Sequence, residues 1–170
     1  MYQIDYGIAF GSNLGNRLSN LRQAKRLLLH HCHSPKDAKF SPIYETQPVD
    51  CSIESNNFLN AAANLPLSLP PKDALTLCLK IESAFDRPEK RRKNDPRTID
   101  LDIIYAGSLI HNAKELTIPH PKLYERRFVL EPLSTIVPSL ILTNQKKTIL
   151  QHLNDIKSPE PPLIKITNTW

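Results

Sequence analysis

The run Arg87-Pro-Glu-Lys-Arg-Arg-Lys-Asn-Asp-Pro-Arg-Thr-Ile-Asp-Leu-Asp-Ile-Ile-Tyr105 decides how the rest of the chain is read. Its second half, Ile99 to Tyr105, is dense in β-branched and apolar residues and predicts a strand. Alternation along a strand sends Asp100 and Asp102 to one face and Ile99, Leu101 and Ile103 to the other. Carboxylates two positions apart lie roughly 6–7 Å from each other at strand rise, too close for both to stay comfortably ionised without a cation. Mg²⁺ suits such a pair, because it takes one or two carboxylates and leaves its other positions to water and substrate phosphates. The first half is basic. Six bases (Arg87, Lys90, Arg91, Arg92, Lys93, Arg97) stand against two acids (Glu89, Asp95), a local excess of four in a chain whose net charge is +5. Charge focused in one loop points to an anionic ligand there, and not to a nucleic-acid surface spread over the fold. Paired carboxylates beside clustered cations are the equipment of phosphoryl transfer.

Working outward, 170 residues at 40% hydrophobic and 23% charged describe an ordinary globular chain, read as one domain over residues 1–170. Cys32, Cys51 and Cys78 are widely spaced and odd in number, as expected of thiols in a reducing compartment. The cluster His30-His31-Cys32-His33 invites a zinc site, but it falls at a predicted helix end, where histidine is favourable against the dipole. The sequence shows neither a leader pattern nor ~20 successive apolar residues, so a cytoplasmic protein without a membrane span is expected.

Tyr2 to Phe10 predicts a first strand, which runs into the tight turn Gly11-Ser12-Asn13-Leu14-Gly15, whose backbone can approach a ligand closely. Leu14, Leu18, Leu21, Ala24 and Leu28 recur at helical spacing and predict a helix to about His31. Lys39 to Thr46 reads as a second strand and Asn57 to Leu65 as a third, although the alanines of the latter also suit a helix. Pro70-Pro71 opens a second helix with an apolar stripe of Ala74, Leu75, Cys78, Leu79, Ile81 and Phe85. The Asp100 strand follows. The order β-α-β-β-α-β predicts an α+β, ferredoxin-like fold, an antiparallel sheet with helices on one face and a C-terminal extension. That extension is expected to hold a hairpin strand after Gly107, an extended Thr117-Ile118-Pro119-His120-Pro121, short helices near Tyr124 and over Lys147 to Leu153, and a final strand over Leu163 to Thr167.

Asp95-Pro96-Arg97-Thr98-Ile99-Asp100-Leu101-Asp102-Ile103-Ile104 resembles the signature of the 6-hydroxymethyl-7,8-dihydropterin pyrophosphokinases. Other landmarks agree in order: Gly11 to Gly15, Tyr44-Glu45-Thr46, Asn57 to Ala61, Ile81-Glu82 with Arg87, and Pro119-His120-Pro121 running to Leu130. The resemblance implies transfer of a pyrophosphoryl group from ATP to the hydroxymethyl of the pterin, releasing AMP, with two Mg²⁺ ions held by Asp100 and Asp102. It implies that Arg87 and Arg97 neutralise charge on the transferred group. Glu82, Lys90, Lys93, Ile103, Thr117, His120 and Arg126, with Arg97, would hold ATP. Thr46, Val49, Asn60 and the rings of Phe58 and Phe128 would hold the pterin. The partners expected are these two small molecules, with no nucleic acid and no membrane, acting on a monomer. An RNA-binding sheet of the same topology would need exposed aromatics, and Phe58 to Ala63 offers one. The chain departs from the family where Trp-Gly is usual before Pro-Arg, carrying Asn94-Asp95, and in having Glu89 where a base is common. The loop Ser83 to Asn94 is expected to order over ATP as a lid.

Overall fold

The computed structural model describes residues 3–47, 56–85, 96–157, 160 and 162–170. Arg87, Lys90, Lys93 and Val49, Cys51, the Asn94-Asp95 departure and most of the expected lid lie outside them. In chain order the elements are β1 (Ile4–Ser12), α1 (Arg17–His30), β2 (Lys39–Phe40), β3 (Ile43–Thr46), β4 (Phe58–Leu67), α2 (Pro71–Ser83), β5 (Asp100–Ala106), β6 (His111–Asn112), β7 (Thr117–Ile118), α3 (Arg127–Ile136), α4 (Ile149–Asp155) and β8 (Ile164–Thr167). The protein is α+β. Its main sheet runs β5-β1-β4-β3-β8 with β2 also on β4, and every pairing in it is antiparallel.

Local chemistry sets the element ends. Asn16 caps α1 by accepting the Ser19 N–H at 3.1 Å, which satisfies one of the donors a helix start leaves open. Pro71 opens α2 where its missing N–H is harmless. Thr148 and Gln151 form a reciprocal capping box on α4. The strand expected over Lys39 to Thr46 is two pieces. Pro42 has no N–H for the ladder, and the Ser41 hydroxyl takes over by accepting the Ala62 N–H at 2.9 Å. The sheet end beyond β3 is closed by β8 and by Trp170, whose indole N–H donates to the Ser41 carbonyl at 2.7 Å.

The expectation of helices on one face is corrected: both faces are covered. On one side Leu21, Ala24 and Leu28 of α1 and Ala74, Leu77, Cys78 and Ile81 of α2 pack on Ile8, Phe10, Ala61, Ala63, Leu101 and Ile103. On the other, Val129, Leu130 and Leu133 of α3 and Ile149 of α4 pack on Ala62, Ile104 and Tyr105. This explains why β4 has nine buried residues in succession and an unalternating sequence. The apolar stripe of α2 is shifted from the expected one: Leu77 is buried and Leu79 is half-exposed. Burial pushes the thiol of Cys32 up to about 11 and that of Cys78 up to about 12, so both remain neutral. Among the described residues no helix is long and apolar enough to cross a membrane.

The α3 side of β1 carries small residues at alternate positions, Gly7, Ala9 and Gly11. A register shift between Gly7 and Ile8 sets Tyr105 opposite Gly7, and the Tyr105 ring lies across that glycine to donate its hydroxyl to Asn64 Oδ1 at 2.7 Å. A Cβ at residue 7 would stand 2.1 Å from the ring. Gly7→Ala is therefore expected to cost roughly 1–3 kcal/mol through overpacking, read as a lower denaturation midpoint in urea. An unchanged midpoint would mean that the ring moves without loss.

Candidate active site

The cross-strand register builds the site. Asp100 on β5 pairs with Gly11 on β1, Gly11 with Asn60 on β4, and Asn60 with Tyr44 on β3. One row over, Asp102 pairs with Ala9 and Ala9 with Ala62, while Thr46 pairs with Phe58 at the opposite end of the face. Directly paired residues share a face, so Asp100, Asp102, Asn60 and Phe58 all leave the sheet on the side of α3. At their centre is Gly11. A Cβ there would lie 3.5 Å from Asn60 Oδ1 and 3.8 Å from both Asp100 Cβ and Phe58 Cδ1. Gly11 is thus the floor of a cleft walled by three residues that the sequence assigned to two different ligands. The Asn60 amide is held by donating from Nδ2 to Thr46 Oγ1 at 2.7 Å. Phe128, in the first turn of α3, packs like Ala9 on the core of that face, and the Arg126 guanidinium lies 5.5 Å from the centre of its ring.

Arg97 is fixed by the Gly11–Gly15 turn. Asn13 N–H and Leu14 N–H donate to the Arg97 carbonyl at 2.9 and 3.1 Å, and the Arg97 N–H donates to Asn13 Oδ1 at 2.5 Å. Ser12 Oγ donates to the Thr98 carbonyl at 2.6 Å, and Asn20 Nδ2 reaches the same oxygen at 3.1 Å. The Arg97 guanidinium pairs with the Asp100 carboxylate. A second clamp, Arg17 Nη1 on Glu45 Oε1 and on the Asn57 carbonyl, both at 2.7 Å, ties α1 to the ends of β3 and β4 beside Thr46 and Phe58.

The outer edge of β5 gathers another set. Glu82, 2% exposed, reaches it from α2 and accepts the Leu101 N–H on Oε1 at 2.8 Å. The His120 N–H donates to the Ile104 carbonyl at 2.8 Å, so the segment from Thr117 on β7 to His120 runs along that edge. Ile103 itself is buried in the core under α1 and α2. Burial first, then the charges of Arg126 and Lys122, hold the His120 imidazole below its ordinary value; it is neutral at pH 7, and its Nδ1 accepts the Lys122 N–H at 3.1 Å. His30, His31 and His33 are exposed, while Cys32 is buried with its thiol on the Leu28 carbonyl. Among the described residues no group of three or more His, Cys, Asp or Glu is placed to hold a metal. A two-carboxylate set does not build a closed cage, but it fits Mg²⁺, which relies on substrate phosphates for further oxygens.

The sequence reading assigned Asp100 and Asp102 to metal and Asn60 and Phe58 to the pterin, and the sheet register sets all four on one face; it did not single out the clamp residues Ser12, Asn13, Asn20 and Arg17. They lie far from their partners in the chain, 86 positions for Ser12 and Thr98. Gly11 was legible only as a turn residue; the signal for its role as floor was the alternation of Gly7, Ala9 and Gly11 along one strand.

Fold and cleft together define an α+β protein with a carboxylate pair and an arginine at one end of an antiparallel sheet, a class suited to a phosphorylated ligand. More narrowly, the chain belongs to the 7,8-dihydro-6-hydroxymethylpterin-pyrophosphokinase family, whose model matches residues 7–138. It is similar to the 2-amino-4-hydroxy-6-hydroxymethyldihydropteridine pyrophosphokinase of Bacillus subtilis, at 43% identity over 129 residues that cover 76% of this chain and 75% of the relative. A folic acid synthesis protein of Dictyostelium discoideum is 38% identical over 91% of this chain, and a folate synthesis bifunctional protein of Arabidopsis thaliana is 37% identical over 85%. The chain spans only 24% and 29% of the length of those two relatives. The fold is that of a solved HPPK-DHPS in complex with substrates, with a TM-score of 0.67 at 13% identity over 91% of this chain and 43% of that one. It is similarly close to the wild-type Plasmodium falciparum HPPK-DHPS with pteroate, with a TM-score of 0.65 at 14% identity over 90% of this chain and 42% of that one.

Removal of the buried Glu82 acceptor leaves the Leu101 N–H without that partner. Glu82→Ala is expected to cost about 1–3 kcal/mol, measured by urea denaturation. Unchanged stability would mean that the edge of β5 does not depend on this carboxylate.

Proposed function

We propose that the chain transfers the pyrophosphoryl group of ATP to the hydroxymethyl group of 6-hydroxymethyl-7,8-dihydropterin, giving AMP and the pterin diphosphate in folate biosynthesis. The observation that carries this reading is the convergence of Asn60, Phe58 and Asp100 on the bare backbone of Gly11. A flat heterocycle with an amide edge needs an open floor, an aromatic wall and a side chain offering donor and acceptor together, and a phosphate acceptor must then sit beside the carboxylates. The order β5-β1-β4-β3 favours a ferredoxin-like βαββαβ core, read here as one pyrophosphokinase domain.

In this reading the hydroxymethyl oxygen attacks the β-phosphorus, and the bond from that phosphorus to the oxygen bridging it to the α-phosphorus breaks, leaving AMP. Asp100 and Asp102 would hold two Mg²⁺ ions, which supply charge neutralisation at the phosphates and a lowered pKa for the attacking hydroxyl. Arg97, with Arg87, would offset charge that grows on the transferred group, a contribution made mainly in the transition state. Asn60 would read the pterin amide edge with Thr46 behind it, and Phe58 and Phe128 would flank the ring, with Val49 closing the pocket. Glu82, Ile103, Thr117, His120 and Arg126, with Lys90, Lys93 and Arg97, would form the ATP side. The gathering of Glu82, Thr117 and His120 at one edge of β5 supports that division.

Mixing the chain with ATP, Mg²⁺ and hydroxymethyldihydropterin should yield AMP and pterin diphosphate in equal amounts; tight pterin binding without AMP would leave a binding protein. Asp102→Ala should lower turnover at least ~100-fold with the melting curve preserved, because a metal ligand carries several kcal/mol of transition-state charge compensation. Full activity in that variant would overturn the metal assignment. Gly11→Ala should fold, since the added Cβ meets only ordinary contacts, and should weaken pterin binding at least ~10-fold in calorimetry by raising the floor by one methyl. Wild-type pterin affinity in that variant would place the ring elsewhere.

A further inference from the structure

We infer that Asn20, on the first turn of α1, is a positioning residue for the transfer reaction, acting on Arg97 through the backbone of Thr98. The inference rests on the activity proposed above and adds a role on a helix the family signature does not reach.

One amide nitrogen carries the argument. Asn20 Nδ2 lies 3.1 Å from the Thr98 carbonyl, 2.9 Å from the Leu14 carbonyl and 3.2 Å from Ser12 Oγ. These three oxygens belong to the two segments that must be held in register: the turn after β1 and the approach to β5. Ser12 and Asn13 are buried, at 0% and 1% exposure, so their polar atoms cannot turn to water if the network is cut. Ser12 Oγ donates its own hydrogen to the Thr98 carbonyl, and the Asn20 amide is the donor that meets Ser12 Oγ from the other side. Beyond Thr98 the chain runs back one residue to Arg97, whose N–H and carbonyl are both tied to the same turn. The Arg97 guanidinium is in turn on Asp100. Asn20 therefore stands at the root of a connected path that ends on the guanidinium assigned to the phosphates and the carboxylate assigned to the metal.

Position matters here more than affinity. An arginine that offsets charge growing in the transition state loses effect when displaced by about 1 Å, a shift that can cost roughly 100-fold in rate. Pterin binding draws on other residues and Arg97 is only one of several groups assigned to ATP, so a loosened clamp should be read chiefly in kcat and little in KM. A purely structural role would behave differently, lowering the folded fraction and leaving the properties of the folded molecules alone.

The test compares Asn20→Ala with Asn16→Ala. Asn16 caps the same helix through Ser19 N–H, and its only bond to the clamp, its carbonyl accepting the Asn20 N–H at 2.9 Å, is kept by alanine, so loss of its side chain lowers the melting temperature without moving Thr98. Steady-state kinetics on folded protein should show kcat in Asn20→Ala down 10- to 100-fold, with KM for ATP and for pterin within twofold of wild type. Asn16→Ala should retain wild-type kcat below its melting transition. Equal kcat in Asn20→Ala and wild type, or an equal fall in Asn16→Ala, would overturn the inference. If Asn20→Ala does not fold, Asn20→Asp keeps the volume, removes the donors and carries the same expectation; failure of both to fold would assign Asn20 to stability alone. A wild-type chain that forms no AMP would remove the proposed activity and this inference with it, whereas an active wild type with a fully active Asn20→Ala removes this inference alone.

Discussion

Everything at this site depends on a central strand that has no side chain where its neighbours have them. β1 lies between β5 and β4, and on the α3 side it presents Gly7, Ala9 and Gly11. At residue 7 the missing side chain makes room for the Tyr105 ring, which knits β5 to Asn64 of β4 and fills the core. At residue 11 the same absence leaves the backbone bare, with Asn60, Phe58 and Asp100 within 4 Å of where a Cβ would stand. One strand thus uses glycine twice, for packing at one end and for a cleft at the other. Helix α3 covers the first end, and Phe128 in its first turn lies against the Arg126 guanidinium.

A cleft at the edge of a sheet needs its edge strand held still, and β5 is that strand. Its Leu101 N–H is taken by a buried carboxylate and its Ile104 carbonyl by the His120 N–H. Unpaired edge groups invite other strands; here they are satisfied by α2 and by the segment after β7, which brings Glu82 and His120 to flank the carboxylate strand. The approach to β5 is held just as firmly, since the turn after β1 binds Arg97 and Thr98 through both backbone and side chains. Three supports converge on β5 and its approach. That density of hydrogen bonds is what a reaction driven by placement and charge compensation asks of its scaffold.

The far end of the sheet is organised by different forces. β8 pairs with β3, and Trp170 packs edge-on to Phe10 and Phe40 at ring-centre distances of 5.4 and 5.5 Å. Lys25 of α1 stands 4.2 Å from the Phe40 ring and 4.8 Å from the Trp170 ring, with its ammonium on the Trp170 carbonyl. Part of that ammonium is out of water, and burial accordingly lowers its pKa. Residues beyond 138, where the family match stops, therefore complete the sheet next to Thr46 instead of trailing from it.

Period and local chemistry made much of this legible in advance. The alternation of Asp100 and Asp102 against Leu101 and Ile103, the helical spacing of Leu21, Ala24 and Leu28, and the proline start of α2 are local patterns, and each is realised in the fold. Family resemblance added Asn60, Phe58 and Phe128, which no spacing rule could have joined. Where reading the chain failed, the cause was a partner distant in sequence. Leu79 is exposed and Leu77 buried because packing on β5 and beside α1 fixes the rotation of α2 only after folding. Both faces of the sheet are covered because α3 and α4 fold back over it, and the unbroken apolar run of β4 was the sign. The residues of the chain alone determined which groups carry charge, carboxylate oxygens and aromatic surface. Only the tertiary structure decided that Gly11 is a floor, that Glu82 braces a strand and that Asn20 reaches Thr98, because hydrogen bonds across 78 residues have no period to betray them.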